Sequence, residues 1–413
     1  MSEHEITETL ETSCCIVGGG PAGAVLALIL ARQKFPVVLL EAHEDFERDF
    51  RGDTIHPSVL EIMDELGLAE RLHELRHSKI RTGTFMTPAG PLTVADFGRL
   101  KTRFPYIMML PQAHFLEFIT EEAKQYPNFQ LRMGARVEEL IEENGTVRGV
   151  RYEDDAGWHE VRAALTVAAD GRSSRVRHLT GMEAVKTSPP MDVLWFRLPR
   201  KAGDPEGLLA RFGGGHLVVM LDRLDEWQIA YVIFKGSFKE IRAAGVDALR
   251  KSLASIAPDM ADRVEQLKDW KQVALLSVES SRLKEWYKPG LLLIGDAAHV
   301  MSPVGGVGIN YAIQDAVVAA NLLAEPLRAG KVEVRHLRAV QRVRELPTRF
   351  IQRVQAFAQR FIIANALNSN QPVRVPLFLR LLLRTPILRN IPARIIAFGL
   401  KRVHVKPSLR AQT

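Results

Sequence analysis

The stretch SCCIVGGGPAGAVLALILARQKFPVVLLE, residues 13–41, decides how the rest of the chain is read. Residues 13–17 form a short apolar run of strand type, and Gly18-Gly19-Gly20-Pro21-Ala22-Gly23 follows at once. Residues 24–32 are nearly all apolar and predict a helix, and residues 37–41 predict a second strand. Strand, glycine turn, helix and strand in this order make a βαβ unit. In Gly18-x-Gly20-x-x-Gly23 the first glycine permits a tight turn and the second lets backbone approach a pyrophosphate. The third allows close helix–strand packing. The helix N-terminus offers unpaired N–H groups to phosphate. Glu41 ends the second strand 18 residues after Gly23, where a carboxylate can accept from ribose hydroxyls. This motif leaves FAD and NAD(P) both open. Glu rather than Arg at position 41 argues only against a 2′-phosphate.

Around this unit the chain has 413 residues, which predicts two or three domains. Apolar residues at 46% and charged residues at 25% suit a globular protein with a sizeable core. The two cysteines, Cys14 and Cys15, are adjacent, which excludes a disulfide framework or a four-ligand zinc site. They read as inert strand residues and fit a reducing cytoplasm. The start, MSEHEITETLET, is acidic and lacks the pattern of a signal peptide. The apolar run 24–31 is too short to span a bilayer. No internal repeat or low-complexity tract is visible. The net charge of +7 is unevenly spread: residues 346–413 hold twelve Arg or Lys and no acid. The rest carries 43 basic and 48 acidic residues, a net of −5, which argues against a nucleic-acid partner.

Along the chain, residues 56–76 predict helix with a break near Gly67, and 113–125 predict another. Residues 129–169 predict a meander turning at Asn144-Gly145 and Asp155-Ala156-Gly157. Residues 191–235 alternate like antiparallel strands, 239–256 predict a helix, and 291–295 a buried parallel strand before the helix 309–327. The fold class is therefore α/β: a Rossmann-like dinucleotide domain with an inserted antiparallel β-sheet domain and a helical C-terminal tail. The expected boundaries are 1–79, 111–180 and 276–345 for the first, 80–110 and 181–275 for the second, and 346–413 for the tail.

Two further motifs carry chemistry. Gly295-Asp296 follows the strand LLLI, and the loop AAHVMSPVGGVG leads into a helix. Asp296 stands at the carboxyl end of a strand, where ligands bind in open α/β sheets, and could hold polyol hydroxyls. Gly305, Gly306 and Gly308 let backbone approach a flat ligand, with the positive end of the following helix behind it. Asp170-Gly171, within VAADGRSSRVR, reads by itself as a turn as readily as a site.

The three motifs together, in this order, resemble the class A flavoprotein monooxygenases, the single-component aromatic hydroxylases similar to para-hydroxybenzoate hydroxylase. The resemblance covers about residues 12–345, and GDAAHVMSPVGGVGIN is its most specific stretch. It implies FAD as cofactor, NAD(P)H as external reductant, O2 as oxidant and a flavin C4a-hydroperoxide that hydroxylates an aromatic or other electron-rich apolar small molecule. It implies that Gly18, Gly20, Ala22 and Gly23 hold the pyrophosphate, with Glu41 on the ribose and Val137 against the adenine. It places Arg51 near the flavin and NAD(P)H, Gln112 at the ribitol or phosphates, Asp170 as the acid of the DG motif and Asp296 at the ribitol. Pro303, Gly305, Gly306, Val307, Gly308, Ile309 and Asn310 would line the isoalloxazine. No second GxGxxG follows a strand, so NAD(P)H is expected to bind transiently. The five tryptophans contain no WxW, unlike the related halogenases. Other flavin oxidations on this fold (epoxidation, oxidative dehalogenation or decarboxylation, isoprenoid reduction) and a non-enzymatic membrane-associated flavoprotein are the alternatives.

A phenolic substrate reacts faster as phenolate, so a base is wanted. The candidates are His56, Tyr106, His216, Tyr231 and Tyr311, with His216 and Tyr231 taken beside Arg51 and Pro303 as the catalytic set. His299 is expected to be structural. Met108-Met109 and Trp195-Phe196 read as core or as pocket lining. For the basic tail three roles stay open: packing on the acidic body, lying on the inner face of a membrane, or forming a dimer interface.

Overall fold

The computed structural model describes residues 5–47, 53–87, 90–187, 189–362 and 386–410. Its main sheet has eight strands. The central strand, Ile6–Val17, runs parallel to Gly157–Ala168 on one side and to Val37–Leu40 on the other. Phe129–Arg132 and Leu291–Leu293 extend the parallel set at its two ends. The strands Arg136–Glu143 and Thr146–Asp154 add antiparallel to it.

The first strand is longer than residues 13–17. The segment ITETLET alternates in exposure and pairs from Ile6 onward with Trp158 to Ala163. One of its faces is wet, so its polar composition hides a strand that its period reveals.

Helix α1 (Pro21–Arg32) buries every residue from Ala22 to Ala31. It packs with the long helix at Gly308–Arg328 over the sheet. Its buried Leu26, Leu28, Ile29 and Leu30 each contribute about 2 kcal/mol of apolar transfer. Next come α2 (Pro57–Glu65) and α3 (Ala69–Glu74), separated at Gly67, whose φ is +69°. Then follow α4 (Gln112–Lys124), α5 (Arg175–Thr180), α6 (Phe238–Ala243) and α7 (Val246–Ile256). The single helix expected over 239–256 is thus two, broken at Gly245 with φ +88°.

The second sheet has seven strands in the order Ala274–Leu276, Met191–Pro199, Glu226–Phe234, His216–Arg223, Leu208–Gly213, Thr82–Thr87 and Gly90–Asp96. Its two faces differ. Leu194, Phe196, Val218, Met220, Ile229 and Tyr231 pack beneath α7 with Leu249 and Leu253. Val193, Leu217, Ala230 and Val232 pack on the opposite face with Trp195, Phe85, Phe212, Val219 and Val304. Val304 belongs to the glycine loop that follows the main sheet, so this second face looks toward the cofactor motifs.

Helices α8 (Gly308–Arg328), α9 (Val334–Ile362) and α10 (Pro386–Phe398) complete the described chain. The boundary expected at 345/346 falls inside α9, which runs on through Pro347. Helix α10 packs on the strand Gly90–Asp96 and on α2. Ala393, Ala397 and Phe398 are buried there with Ile80, Phe97, Ile107 and Met109. The chain end is clasped by acids of α2: Arg402 pairs with Glu61, and Glu65 accepts from His404 Nδ1, Val405 N–H and Arg410. Val405 and Leu409 join the main core. Residues 386–410 of the basic tail therefore pack on the protein's own body.

Candidate active site

The dinucleotide turn is built by close approach. Gly18 has φ +103°, and a Cβ there would lie 2.5 Å from the carbonyl oxygen of Ala169. A methyl at Gly23 would overlap the Gly18 carbonyl oxygen. Gly20 is different: a Cβ there meets nothing nearer than 4.0 Å. Its bare backbone faces open space at the start of α1, which begins with Pro21 at its first turn and no side-chain cap. A pyrophosphate fits that arrangement, taking helix N-terminal N–H groups and the positive end of the dipole.

Glu41 is buried and its Oε2 accepts from the Gly19 N–H at 2.8 Å. Its Oε1 takes the His43 N–H at 3.1 Å and lies 2.6 Å from His43 Nδ1. The carboxylate thus stiffens the glycine turn. It has about four lone-pair sites, so a ribose hydroxyl is compatible with these bonds. Ala135 N–H donates to the Glu41 carbonyl and Gly134 N–H to that of His43. This brings the segment containing Val137 alongside Glu41.

Asp170 meets the turn from the other side, since a Cβ on Gly18 would lie 2.7 Å from the Asp170 Cα. Its carboxylate accepts from Ser174 Oγ at 2.6 Å and from Val176 N–H at 3.0 Å. Burial pushes its carboxyl up, against those two donors. Asp170 thus holds the start of α5. Arg177, on α5, donates to the carbonyl oxygens of Asp296 and Ala297. The DG and GD segments are thereby tied together.

Asp296 follows Gly295, whose φ is +59° and whose missing side chain makes room for Ala22 and Ala312. The GD turn rests on a buried polar set in which His299 is structural, as expected, while Asp315 and Arg344 went unread in the sequence. Asp315, fully buried in α8, accepts from Gly295 N–H at 3.0 Å and is bonded to His299 Nε2 at 2.6 Å. Arg344 Nε donates to its other oxygen at 2.6 Å. Burial opposes the charge on Asp315, but His299 and Arg344 outweigh it and hold the carboxyl below its usual range. No local pattern singled this set out: the buried face of α9 carries Gln341, Thr348, Gln355 and Gln359 as well as Arg344.

The glycine loop is held by both flanks. Gly305 and Gly306 have φ of +81° and +61°. A Cβ on Gly306 would lie 2.5 Å from Thr54 Oγ1, which itself donates to the Gly306 carbonyl at 2.9 Å. Asn310 takes the His56 N–H on Oδ1 and donates from Nδ2 to the carbonyls of Thr54 and Gly306. Its side chain is a strap between segments. Val307 and Ile309 are buried in apolar clusters, so their side chains pack and only their backbone faces the loop. Pro303 caps the turn and accepts from Gly306 N–H. From α9, Gln355 donates to the carbonyls of Ser302 and Val304, and Gln359 donates to Ser302 Oγ. Helix α9 therefore supports the loop through residues beyond 345. Gln112 opens α4, and its N–H reaches Asp53 Oδ1 at 3.3 Å. Asp53 pairs with Arg223 of the second sheet at 3.1 Å.

Arg51 lies outside the described residues. The other two members of the expected catalytic set are elsewhere: Tyr231 donates to or accepts from Ser252 of α7 at 2.7 Å, and His216 stacks on Tyr231 at 4.6 Å. Both sit on the face of the second sheet under α7, turned away from the glycine loop. In antiparallel strands the period of two puts alternate residues on opposite faces, and these two fall on the α7 side. Tyr106 bonds His73 on the α3 side. Tyr311 lies under α10 near Gly399. His56 is fully buried, its Nδ1 donates to the Ile396 carbonyl of α10 at 2.8 Å, and burial pulls its imidazole down to about 4.

The FAD binding domain family model matches residues 11–354, and the chain belongs to that family. The chain is 34% identical to 6-methylpretetramide 4-monooxygenase of Streptomyces rimosus over 401 residues, spanning 96% of this chain and 95% of that protein. It is 26% identical to para-nitrophenol 4-monooxygenase of Pseudomonas sp. (strain WBC-3), spanning 78% and 80%. Among solved structures it resembles pqsL, a probable FAD-dependent monooxygenase from Pseudomonas aeruginosa. The TM-score is 0.74 with 19% identity, over 87% and 97% of the two chains, which is a likeness of fold. The protein is an FAD-dependent aromatic monooxygenase of class A, an oxidoreductase with NAD(P)H as the family's donor and a small molecule and O2 as substrates. Among the described residues one helical stretch, 304–328, is long and apolar enough to cross a membrane, and 83% of its apolar window is buried inside the protein.

Proposed function

We propose that the enzyme hydroxylates a flat, polycyclic phenolic ketone of polyketide type, bound between the glycine loop and the second sheet. One observation carries this reading: the sheet face that looks toward Val304 is apolar and aromatic, with Phe85 and Phe212 stacked at 5.2 Å. The name of the 34% identical relative, which acts on 6-methylpretetramide, supports the same class. The expected cofactor residues fit FAD through the uncapped α1 start, the open backbone at Gly20 and the side-chain-free loop at Gly305 and Gly306. Bound FAD supplies the hydride acceptor and the site of oxygen activation. The chain's own residues do the rest. Gly18 to Gly23 and Glu41 anchor the adenosine diphosphate end, and Asp296 the polyol. Thr54, Asn310 and Gln355 fix the loop backbone. The N-terminus of α8 favours negative charge on the ring system. Val304, Val219 and Phe212 keep water out, which protects a reactive oxygen donor from wasteful decay.

Titration of the holoprotein tests the substrate class through the flavin visible spectrum. 1,8-Dihydroxyanthraquinone is expected to perturb it with at least tenfold tighter binding than 4-nitrophenol. The reverse order would contradict the reading. For the tail, one observation favours a lipid contact beside the packing already described: α9 exposes Leu346 and Phe357 next to Arg349 and Arg353. Flotation with vesicles containing phosphatidylglycerol is expected to carry the protein, and Phe357→Glu to release it. Absence of flotation by the unaltered protein would contradict the lipid contact.

A further inference from the structure

We propose that the indole N–H of Trp195 is the polar anchor of the substrate site, donating to a carbonyl or phenolate oxygen of the bound ring system. This rests on the reading of the substrate face given above. Trp195 lies on the strand Met191–Pro199 and shares the face of Val193. It joins two apolar clusters, one with Phe85, Phe212, Val219 and Val304, the other with Leu208, Ala397 and Ile396. It therefore stands between the glycine loop and the tail helix α10, whose Ile396 comes within 3.8 Å of a Cβ placed on Gly305.

Its Nε1 is buried and has no hydrogen-bond partner among the described residues. A buried donor left unpaired is costly, so an indole N–H on an apolar face calls for a partner. The tryptophans Trp158, Trp227, Trp270 and Trp286 lie elsewhere, and Trp227 gives its N–H to Asp204 at 3.0 Å. Trp286 also keeps an unpaired Nε1, but it is fully buried in the core between the main sheet and His299. Trp195 differs in packing on the same apolar cluster as Val304 of the loop. The ligand chemistry follows from the donor. An indole N–H donates and never accepts, so the complementary group must be an acceptor such as a ketone oxygen. A neutral phenol can meet it only through its weaker hydroxyl oxygen. The flanking Phe85 and Phe212 rings and the aliphatic side chains require that the acceptor be carried by a flat apolar body.

The test compares the holoprotein with Trp195→Phe, which keeps an aromatic ring and deletes the N–H. Each is titrated with 1,8-dihydroxyanthraquinone and with anthracene-1,8-diol, which lacks the ketones. The unaltered protein is expected to bind the quinone about tenfold tighter than the diol, and W195F to lose about tenfold on the quinone alone. Equal binding of the quinone by both proteins overturns the role of Trp195 and leaves the substrate class standing. Failure of the unaltered protein to bind either compound overturns both. Should W195F not hold FAD, protein labelled with 15N at the indoles carries the test. Of the five indole N–H resonances, one is expected to move downfield with the quinone and stay with the diol. Five unmoved resonances in a quinone-bound sample overturn the proposal.

Discussion

Arg344 and Asp315 meet at 2.6 Å with both side chains fully buried, one from α9 and one from α8. Through Asp315 the pair reaches the Gly295 N–H, so a helix that begins after the core motifs fixes the backbone of the GD turn. Removing one member leaves an uncompensated buried charge, at a cost of about 3–5 kcal/mol. Arg344→Met is expected to lose that much stability in urea and to release FAD on gel filtration. Arg344→Met combined with Asp315→Asn is expected to recover part of it, since the orphaned charge is gone.

The glycines of the first turn differ in tolerance. Gly23→Ala would drive a methyl into the Gly18 carbonyl, and Gly18→Ala combines that kind of overlap with a positive φ. Both are expected to abolish FAD retention. Gly20→Ala has internal room and an ordinary φ of −68°. It is expected to fold normally and to weaken FAD tenfold or more, because its methyl would enter the space assigned to the pyrophosphate. The absorbance ratio of flavin to protein reads all three.

His56 makes stability depend on pH. Its imidazole is held down at about 4 by burial, against an ordinary 6.5. The unfolded chain therefore takes up the proton first as pH falls. The contribution is complete above about 6.5 and is lost as pH falls toward 4. Between pH 7 and pH 5 this amounts to about 2 kcal/mol. Urea midpoints at the two pH values should differ accordingly, and His56→Gln should flatten the difference.

Glu65 is the clasp of the chain end, accepting from His404, Val405 and Arg410. Glu65→Ala is expected to raise the rate of tryptic cleavage at Lys401 and Arg402 several-fold, with the rest of the protein intact. Unchanged cleavage would mean that Val405 and Leu409 hold the segment by apolar packing alone.

The contrast between Gly18 and Tyr231 shows what a sequence can disclose. The βαβ unit was legible because strand, glycine turn and helix are adjacent, and Gly18 and Gly23 answer local steric demands. The GD loop was legible for the same reason. Which face a strand residue occupies depends on pairing across the sheet, and a shift of one residue exchanges the faces, so nothing local in the sequence told which face His216 and Tyr231 would take. Thr54, Asp315, Arg344 and Gln355 act on partners far away in sequence, so nothing local marked them. The tail was read as separate because its charge changes at 346, yet the helix that carries Arg344 and Gln355 crosses that point. Composition followed the surface of α9, while its buried stripe followed the core.

Oxygen-isotope labelling tests the central claim most directly. Holoprotein, NAD(P)H and 18O2 are incubated with 1,8-dihydroxyanthraquinone and a panel of related hydroxylated polycyclic ketones, and products are weighed by mass spectrometry. An aromatic monooxygenase is expected to yield a product carrying one atom of 18O for each NAD(P)H consumed. Hydrogen peroxide as the sole fate of the oxygen across the panel, or product oxygen drawn from water, would contradict the account.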